Sequence, residues 1–294
     1  MIDLTPYNTL RVVAKARDLR EIREIGEIRE IRTSEPYMFL GEGANILFVH
    51  DFPGTIIRVD LKGRKVISQN KDEVIVEVAA GENWHEFVTW TVENNWSGIE
   101  KMGLIPGTIG AAAVGNIGAY RQEVKDIIVR VITNLGEFTN SECKFDYRGS
   151  FFKTNREYLV TAVQFKLLKN QSVLDTYEEI IKIRTQKLPD WTKIGTAGSF
   201  FKNPFVTREK YSVLSTQIPD IEIFDNKVHA GKLLDVLGWK GRKIGRVSTY
   251  EKHALTIVNL GGATGQEIYD YAEAMREDIR KNFDIELEYE VRII

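Results

Sequence analysis

An α+β fold is the class this sequence predicts, and three observations predict it. Apolar Ile285, Leu287, Tyr289, Val291 and Ile293 alternate with Glu286, Glu288, Glu290 and Arg292, the period of a strand. Just before them, residues 264–283 carry Ile268, Ala272, Met275 and Ile279 at helical spacing behind a Thr264/Glu267 capping box. The same switching between strand and helix periods recurs in the N-terminal half, so the two element types are interleaved throughout. At 294 residues the chain is long enough for two domains. A change of pattern places the boundary near residue 169, giving 1–168 and 169–294.

Taken in order, residues 18–32 read DLREIREIGEIREIR, with Ile22, Ile25, Ile28 and Ile31 at every third position. That spacing predicts a short charged helix broken at Gly26. Residues 55–59 and 74–79 are β-rich and flanked by turn formers. Residues 82–95 read as a helix with Trp84, Phe87, Val88 and Thr91 on one face. Gly103, Gly107, Gly110, Gly115 and Gly118 then crowd together with Pro106, a composition that predicts no regular helix. Strand character returns at 127–133 and 159–168. Residues 174–187 read as a helix through Leu174, Tyr177, Ile181 and Arg184, ending before Pro189. Residues 230–237 form a short helix with Gly238 as its C-cap.

Composition narrows the function classes. Forty Lys+Arg balance 42 Asp+Glu, so no global basic field suits a nucleic-acid backbone. One cysteine, Cys143, excludes a disulfide framework and fits a reducing cytoplasm; with no histidine partner beside it, it reads as a small packed residue. No stretch approaches the ~18 apolar residues of a membrane span, and residues 1–13 hold no signal-type apolar run. His50, His85, His229 and His253 lack metal-ligand spacing, so no metal is expected.

Five segments could carry chemistry. Gly41-Glu-Gly43-Ala44-Asn45 lies between two apolar runs; a tight β-turn and a backbone cradle for an anion both fit it. It is not a dinucleotide fingerprint, since Ile46 occupies the third glycine position. Residues 105–120, IPGTIGAAAVGNIGAY, could lie flat against a large ligand or pack as a structural loop. In FDYRGSFFK, Arg148 beside Tyr147 is either an anion clamp or a surface cation stacked on a ring. Ser199 in GTAGSFFKNP lacks a nucleophile-elbow pattern, leaving a turn serine or a weak acid able to protonate a carbanion. Glu290 and Arg292 close the last strand.

The segments GEGAN, AGENWHEF, IPGTIGAAAVGNIGAY, CKFDYRGSFFK, KLPD, GTAGSFFKNP, HAGKLLDVLGWKGRKIG, HALTIVN and LEYEVRII occur in one order. In that order and spacing the chain resembles the UDP-N-acetylenolpyruvoylglucosamine reductase (MurB) family. The resemblance implies a two-part FAD-binding domain of the vanillyl-alcohol-oxidase type, with subdomains at about 1–62 and 63–168, and a substrate domain whose last strand returns to the flavin site. It implies that NADPH reduces FAD. The reduced flavin then gives hydride to the enolpyruvyl sugar nucleotide, and serine protonates the resulting carbanion, making the peptidoglycan precursor UDP-N-acetylmuramate.

Position by position, the resemblance puts the proton donor at Ser199 and the carboxylate-polarising pair at Arg148 and Glu290. FAD contacts fall on Gly41, Gly43, Ala44, Asn45 and Gly81, on Ile105, Pro106, Gly107, Thr108 and Gly110, and on Asn116, Gly118 and Arg292. Tyr147, Lys187 and Asn203 match substrate-holding positions. The chain departs from the family at Ala113, Gly115, Arg121, Gly149, Thr196 and Tyr289, and it lacks the insertion whose tyrosine closes over substrate. Tyr177 lies near that place but reads as a helix-face residue. A cytoplasmic monomer is expected. The alternative is a flavin-binding paralogue with an oxidase or non-catalytic role.

Overall fold

The computed structural model describes residues 1–30, 35–169 and 172–294. Two compact units result, and neither is one continuous stretch. The first comprises Met1–Ile2, Ala16–Gly43 and Pro53–Gln186; the second comprises Asp3–Lys15, Ala44–Phe52 and Lys187–Ile294. The last change of unit along the chain falls after residue 186.

The first unit holds a small sheet in which Lys15–Ile22 lies beside Phe52–Val59, itself paired in parallel with Tyr37–Leu40. This corrects the helix expected at 18–32. Strand pairing buries Ala16 and Ile22, whereas an isolated charged helix of that length is marginal in water. Only a 3₁₀ turn, Ile25–Glu30, follows; Ile31 and Arg32 of the expected helix lie outside the described residues.

A larger antiparallel sheet has Val160–Lys169 at its centre, between Ile128–Thr133 and Glu73–Ala79; Gly136–Thr139 and Arg64–Gln69 flank these, and Trp96–Ser97 pairs with the end of the central strand. Helix α1, Trp84–Glu93, buries Trp84, Phe87, Val88 and Thr91 as its spacing requires. Phe87 meets Phe165 at 5.0 Å between ring centroids, and Trp84 Nε1 donates to the Met102 carbonyl at 3.0 Å.

Helix α2, Ile109–Gly115, corrects the expectation that the glycine-dense region forms no helix. Ala111, Ala112 and Ala113 are strong helix formers, and seven residues fit between Thr108 and the left-handed Asn116. Gly110 permits the packing: a Cβ there would stand 2.9 Å from that of Ala80. After α3, Phe151–Thr154, the helix α4, Val173–Lys187, buries Val173 and Ile180, while Leu174 is exposed.

In the second unit, Gly195–Ser199, His253–Asn259, Val247–Tyr250 and Lys243–Ile244 form an antiparallel sheet in that order. Helices α5 (Arg208–Gln217), α6 (Ala230–Val236) and α7 (Gly265–Phe283) contribute Leu214, Leu233, Ile268, Met275 and Ile279 to its core. Leu10 and Val12 enter the same core, fixed by Thr196 N–H to the Thr9 carbonyl (3.0 Å) and Asn259 Nδ2 to the Leu10 carbonyl (2.9 Å).

The last strand is shorter than its alternation predicts. Only Arg292–Ile293 joins a ladder, parallel to Ile46–Leu47. Ile285, Leu287 and Val291 are nonetheless buried, because alternate burial needs only an extended chain on a core, whereas a ladder also needs a straight partner.

No helix among the described residues is long and apolar enough to cross a membrane. The capping box of α7 is present, with Thr264 Oγ1 accepting from Glu267 N–H at 3.2 Å and Glu267 Oε2 accepting from Thr264 N–H at 2.7 Å. Thr264→Ala is expected to cost about 1 kcal/mol in a urea unfolding titration, and an unchanged midpoint would remove the cap from the stability argument.

Candidate active site

The first unit gathers the glycine-rich loops around one carboxylate. Glu42 accepts from Asn83 Nδ2 at 2.7 Å and from Gly107 N–H at 3.0 Å. Three segments far apart in sequence thus converge on it: the 41–43 turn, the N-cap of α1 and the 105–108 turn. Beside them, Trp84 N–H donates to the Gly107 carbonyl (2.9 Å), and Gly110 N–H to the Ala80 carbonyl (2.9 Å). Gly81 joins the group through its N–H to the Leu61 carbonyl at 2.9 Å. Ile105 and Pro106 are half-buried, while Gly107 and Thr108 are buried.

Arg148 is attached to the far end of the same loop. Its Nη2 donates to the Gly118 carbonyl at 2.8 Å, its guanidinium carbon lies 5.2 Å from the Tyr147 ring centroid, and Nη1 is 3.9 Å from Glu123. Buried Asn116 donates to the Asp146 carbonyl at 2.9 Å and to Glu123 at 3.3 Å. Lys153 Nζ holds the Arg148 carbonyl at 2.7 Å. The Arg148 backbone is left-handed, with φ at 57°, an uncommon state for a residue with a Cβ. Together these contacts fix the head of a permanently charged side chain beside the loop.

In the second unit, a backbone bond ties Glu290 to the residue that follows Ser199. Ser199 ends its strand opposite Thr256, after an irregularity in the pairing that begins at Thr196. Gly198 makes that irregularity possible, with φ at 72°. The Thr196 hydroxyl accepts from Gly198 N–H at 3.2 Å and donates to the Ile257 carbonyl at 2.8 Å. The next residue, Phe200, gives its carbonyl to Glu290 N–H at 3.0 Å. Asn45 Nδ2 donates to the Glu290 carbonyl at 3.1 Å, and Arg292 N–H donates to the Asn45 carbonyl at 3.1 Å. Tyr289 stacks on Phe201 with centroids 5.2 Å apart, and its hydroxyl donates to Glu273. Ser199, Glu290, Arg292 and Asn45 are therefore neighbours within one unit, as is Ala44, whereas Gly41 and Gly43 belong to the first.

The remaining residues have these local surroundings. Asn203 Oδ1 accepts from Ala230 N–H at 3.0 Å, at the start of α6. Lys187 is exposed at the end of α4. Tyr177 faces α1, its hydroxyl 2.9 Å from that of Thr89, as a helix-face residue does. Cys143 is buried, and burial pushes its thiol up to about 12, far from nucleophilic range.

The sequence assigns no role to Glu42 or Thr196. Glu42 carries no motif weight, because its partners lie 41 and 65 residues away. Glu42→Ala leaves the Gly107 amide without its acceptor; faster exchange of that amide and a loss of about 2 kcal/mol are expected from hydrogen–deuterium exchange and denaturant titration. Unchanged exchange at Gly107 would contradict the role assigned to Glu42.

Comparison with known proteins is consistent along the whole chain. The FAD binding domain family matches residues 11–140, and the UDP-N-acetylenolpyruvoylglucosamine reductase, C-terminal domain family matches residues 189–294. A UDP-N-acetylenolpyruvoylglucosamine reductase of Bacteroides fragilis is 38% identical, over 90% of this chain and 89% of its own. One from Flavobacterium johnsoniae is 35% identical over 99% of this chain and 98% of its own. The crystal structure of UDP-N-acetylenolpyruvylglucosamine reductase (MurB) from Thermus caldophilus shares the fold, with a TM-score of 0.77 at 24% identity, covering 100% of this chain and 97% of that one. Relatives this similar over nearly the full length place the chain in a family: it belongs to the UDP-N-acetylenolpyruvoylglucosamine reductases, with an FAD-binding domain followed by that family's C-terminal domain.

Proposed function

We propose that the chain is a UDP-N-acetylmuramate dehydrogenase that reduces UDP-N-acetylglucosamine enolpyruvate at the expense of NADPH. The observation that carries this reading is the retention of Arg148, Ser199 and Glu290 together, each in its family motif and each with its backbone anchored by neighbours.

The first unit's loops fit a flavin dinucleotide. Among the described residues, the amides of Glu42 and Thr108 donate to no protein acceptor, so they are available to a phosphate or ring carbonyl. The Glu42 carboxylate, which would repel an anion, is occupied by Asn83 and Gly107. Bound there, FAD supplies the hydride. Gly41, Gly43, Gly81, Gly110 and Gly118 let backbone approach it.

This chain's own residues then manage charge and proton. Arg148, with its head fixed by Gly118 and Tyr147, binds the substrate carboxylate and stabilises negative charge spreading into it without reorganising. Glu290, whose backbone is pinned at both its N–H and its carbonyl, stands at the family's second carboxylate-polarising position. The Ser199 hydroxyl is a weak acid, which suffices when the acceptor is a carbon adjacent to an enolised carboxylate. Tyr147, Lys187 and Asn203 each stand at a position where the family holds its substrate. The single cysteine fits a reducing cytoplasm, and the near-neutral charge offers no global basic field to a nucleic-acid backbone; we read the chain as a monomer.

The purified protein is expected to be yellow, to bleach with NADPH, and to regain its colour anaerobically when the enolpyruvyl sugar nucleotide is added. A flavin reduced by NADPH that this substrate never re-oxidises overturns the assignment. Ser199→Ala is expected to slow re-oxidation by roughly 10²–10⁴-fold in stopped-flow absorbance while leaving reduction by NADPH nearly untouched. Equal losses in both half-reactions would count against proton donation by Ser199.

A further inference from the structure

One peptide in the first unit is gripped from both sides by residues that no motif assignment uses. Leu104 precedes the 105–108 turn and has a left-handed backbone, φ 57°, which a branched apolar residue adopts only under constraint. Its N–H donates to His85 Nδ1 on α1 at 3.2 Å. Its carbonyl accepts from Arg184 Nη2 on α4 at 3.3 Å. Arg184 Nε is buried and makes no hydrogen bond among the described residues, and the Tyr120 phenol faces the same guanidinium. Tyr177 and Ile181 of α4 pack against Gly103, the preceding residue.

We propose that His85 and Arg184 are positioning residues that clamp the Leu104 peptide, and so hold the 105–108 turn in its flavin-accepting form, and that the clamp works only while His85 is neutral. The acceptor role at Nδ1 forces this condition: neutral imidazole protonated at Nε2 offers a lone pair there, whereas imidazolium presents a second N–H to the Leu104 N–H. The proposal rests on the FAD reading of the preceding section.

The surroundings favour the neutral form. Burial pushes the His85 imidazole below its ordinary value of 6.5; Glu86 on its own helix acts upward, and the Arg184 cation on α4 acts downward. A group that binds its proton less readily in the clamped state is protonated preferentially when the clamp opens. The hold is therefore present at neutral pH and is lost as pH falls below the ordinary imidazole value.

Flavin release from the holoenzyme, followed by fluorescence between about pH 5 and pH 8, tests this. Wild type is expected to bind FAD roughly tenfold more weakly at the acid end. His85→Gln offers an amide oxygen to the same N–H at any pH, and should keep the neutral-pH affinity while flattening the profile. Arg184→Met removes the cation that disfavours imidazolium, and should move the acid loss to higher pH. The protection factor of the Leu104 amide, its exchange corrected for the intrinsic pH dependence of amide exchange and read in the same samples, should fall on acidification in wild type and not in His85→Gln. A flat wild-type profile, an unaltered acid loss in His85→Gln, or an Arg184→Met midpoint that stays or falls overturns the clamp. A wild type that binds no flavin at any pH overturns the FAD reading instead, and the Leu104 exchange then decides the clamp by itself.

Discussion

Loops made of glycine and alanine have no side chains with which to hold themselves, and the first unit meets this constraint with hydrogen bonds from elsewhere. Glu42 ties the 41–43 turn to Asn83 and to the Gly107 amide. His85 and Arg184 grip the Leu104 peptide. Asn116 and Arg148 grip the other end, through the Asp146 and Gly118 carbonyls. A hydrogen bond to a charged partner contributes about 1.5–3 kcal/mol, enough to hold backbone that has almost no apolar area of its own. The larger apolar core, built on Phe87, Phe165 and Trp84, fixes the elements from which these side chains reach.

The second unit solves a different problem by backbone means. Ser199 and Glu290 come from segments some ninety residues apart in the chain. A break in ladder register, made by Gly198 and supported by the Thr196 hydroxyl, ends the strand at Ser199 and frees the Phe200 carbonyl for Glu290 N–H. Tyr289 adds a ring stacked on Phe201, and its phenol is held by Glu273. At two family departures, Thr196 and Tyr289, the side chain thus has a local structural duty. The chain's own N-terminal residues Leu10 and Val12 complete the core beneath, so the unit draws on both ends of the sequence.

Much of this was legible from pattern, and the rest fails for identifiable reasons. The spacing of Trp84, Phe87, Val88 and Thr91 gives α1 its buried face, and Thr264 with Glu267 gives α7 its start. Residues 18–22 have helical spacing but pair as strand, because a sheet neighbour outweighs a weak local preference. Residues 109–115 look too glycine-rich for a helix, yet three alanines and a tight fit on Ala80 make one. The C-terminal alternation reports burial correctly and hydrogen bonding poorly, since an irregular partner at 200–202 cannot form a ladder.

By itself the sequence determined the chemical inventory: the order of motifs, the side-chain-poor loops, a single cysteine, and the presence of Ser199, Arg148 and Glu290. Tertiary structure alone decided which of these became neighbours. The partners of Glu42, His85 and Arg184 leave no local signal, because a hydrogen bond between residues 19, 65 or 80 positions apart leaves no periodicity in a chain. The division into units followed the same rule: residues 3–15 and 44–52 pack where their apolar side chains find a core, and sequence proximity has no say in that choice.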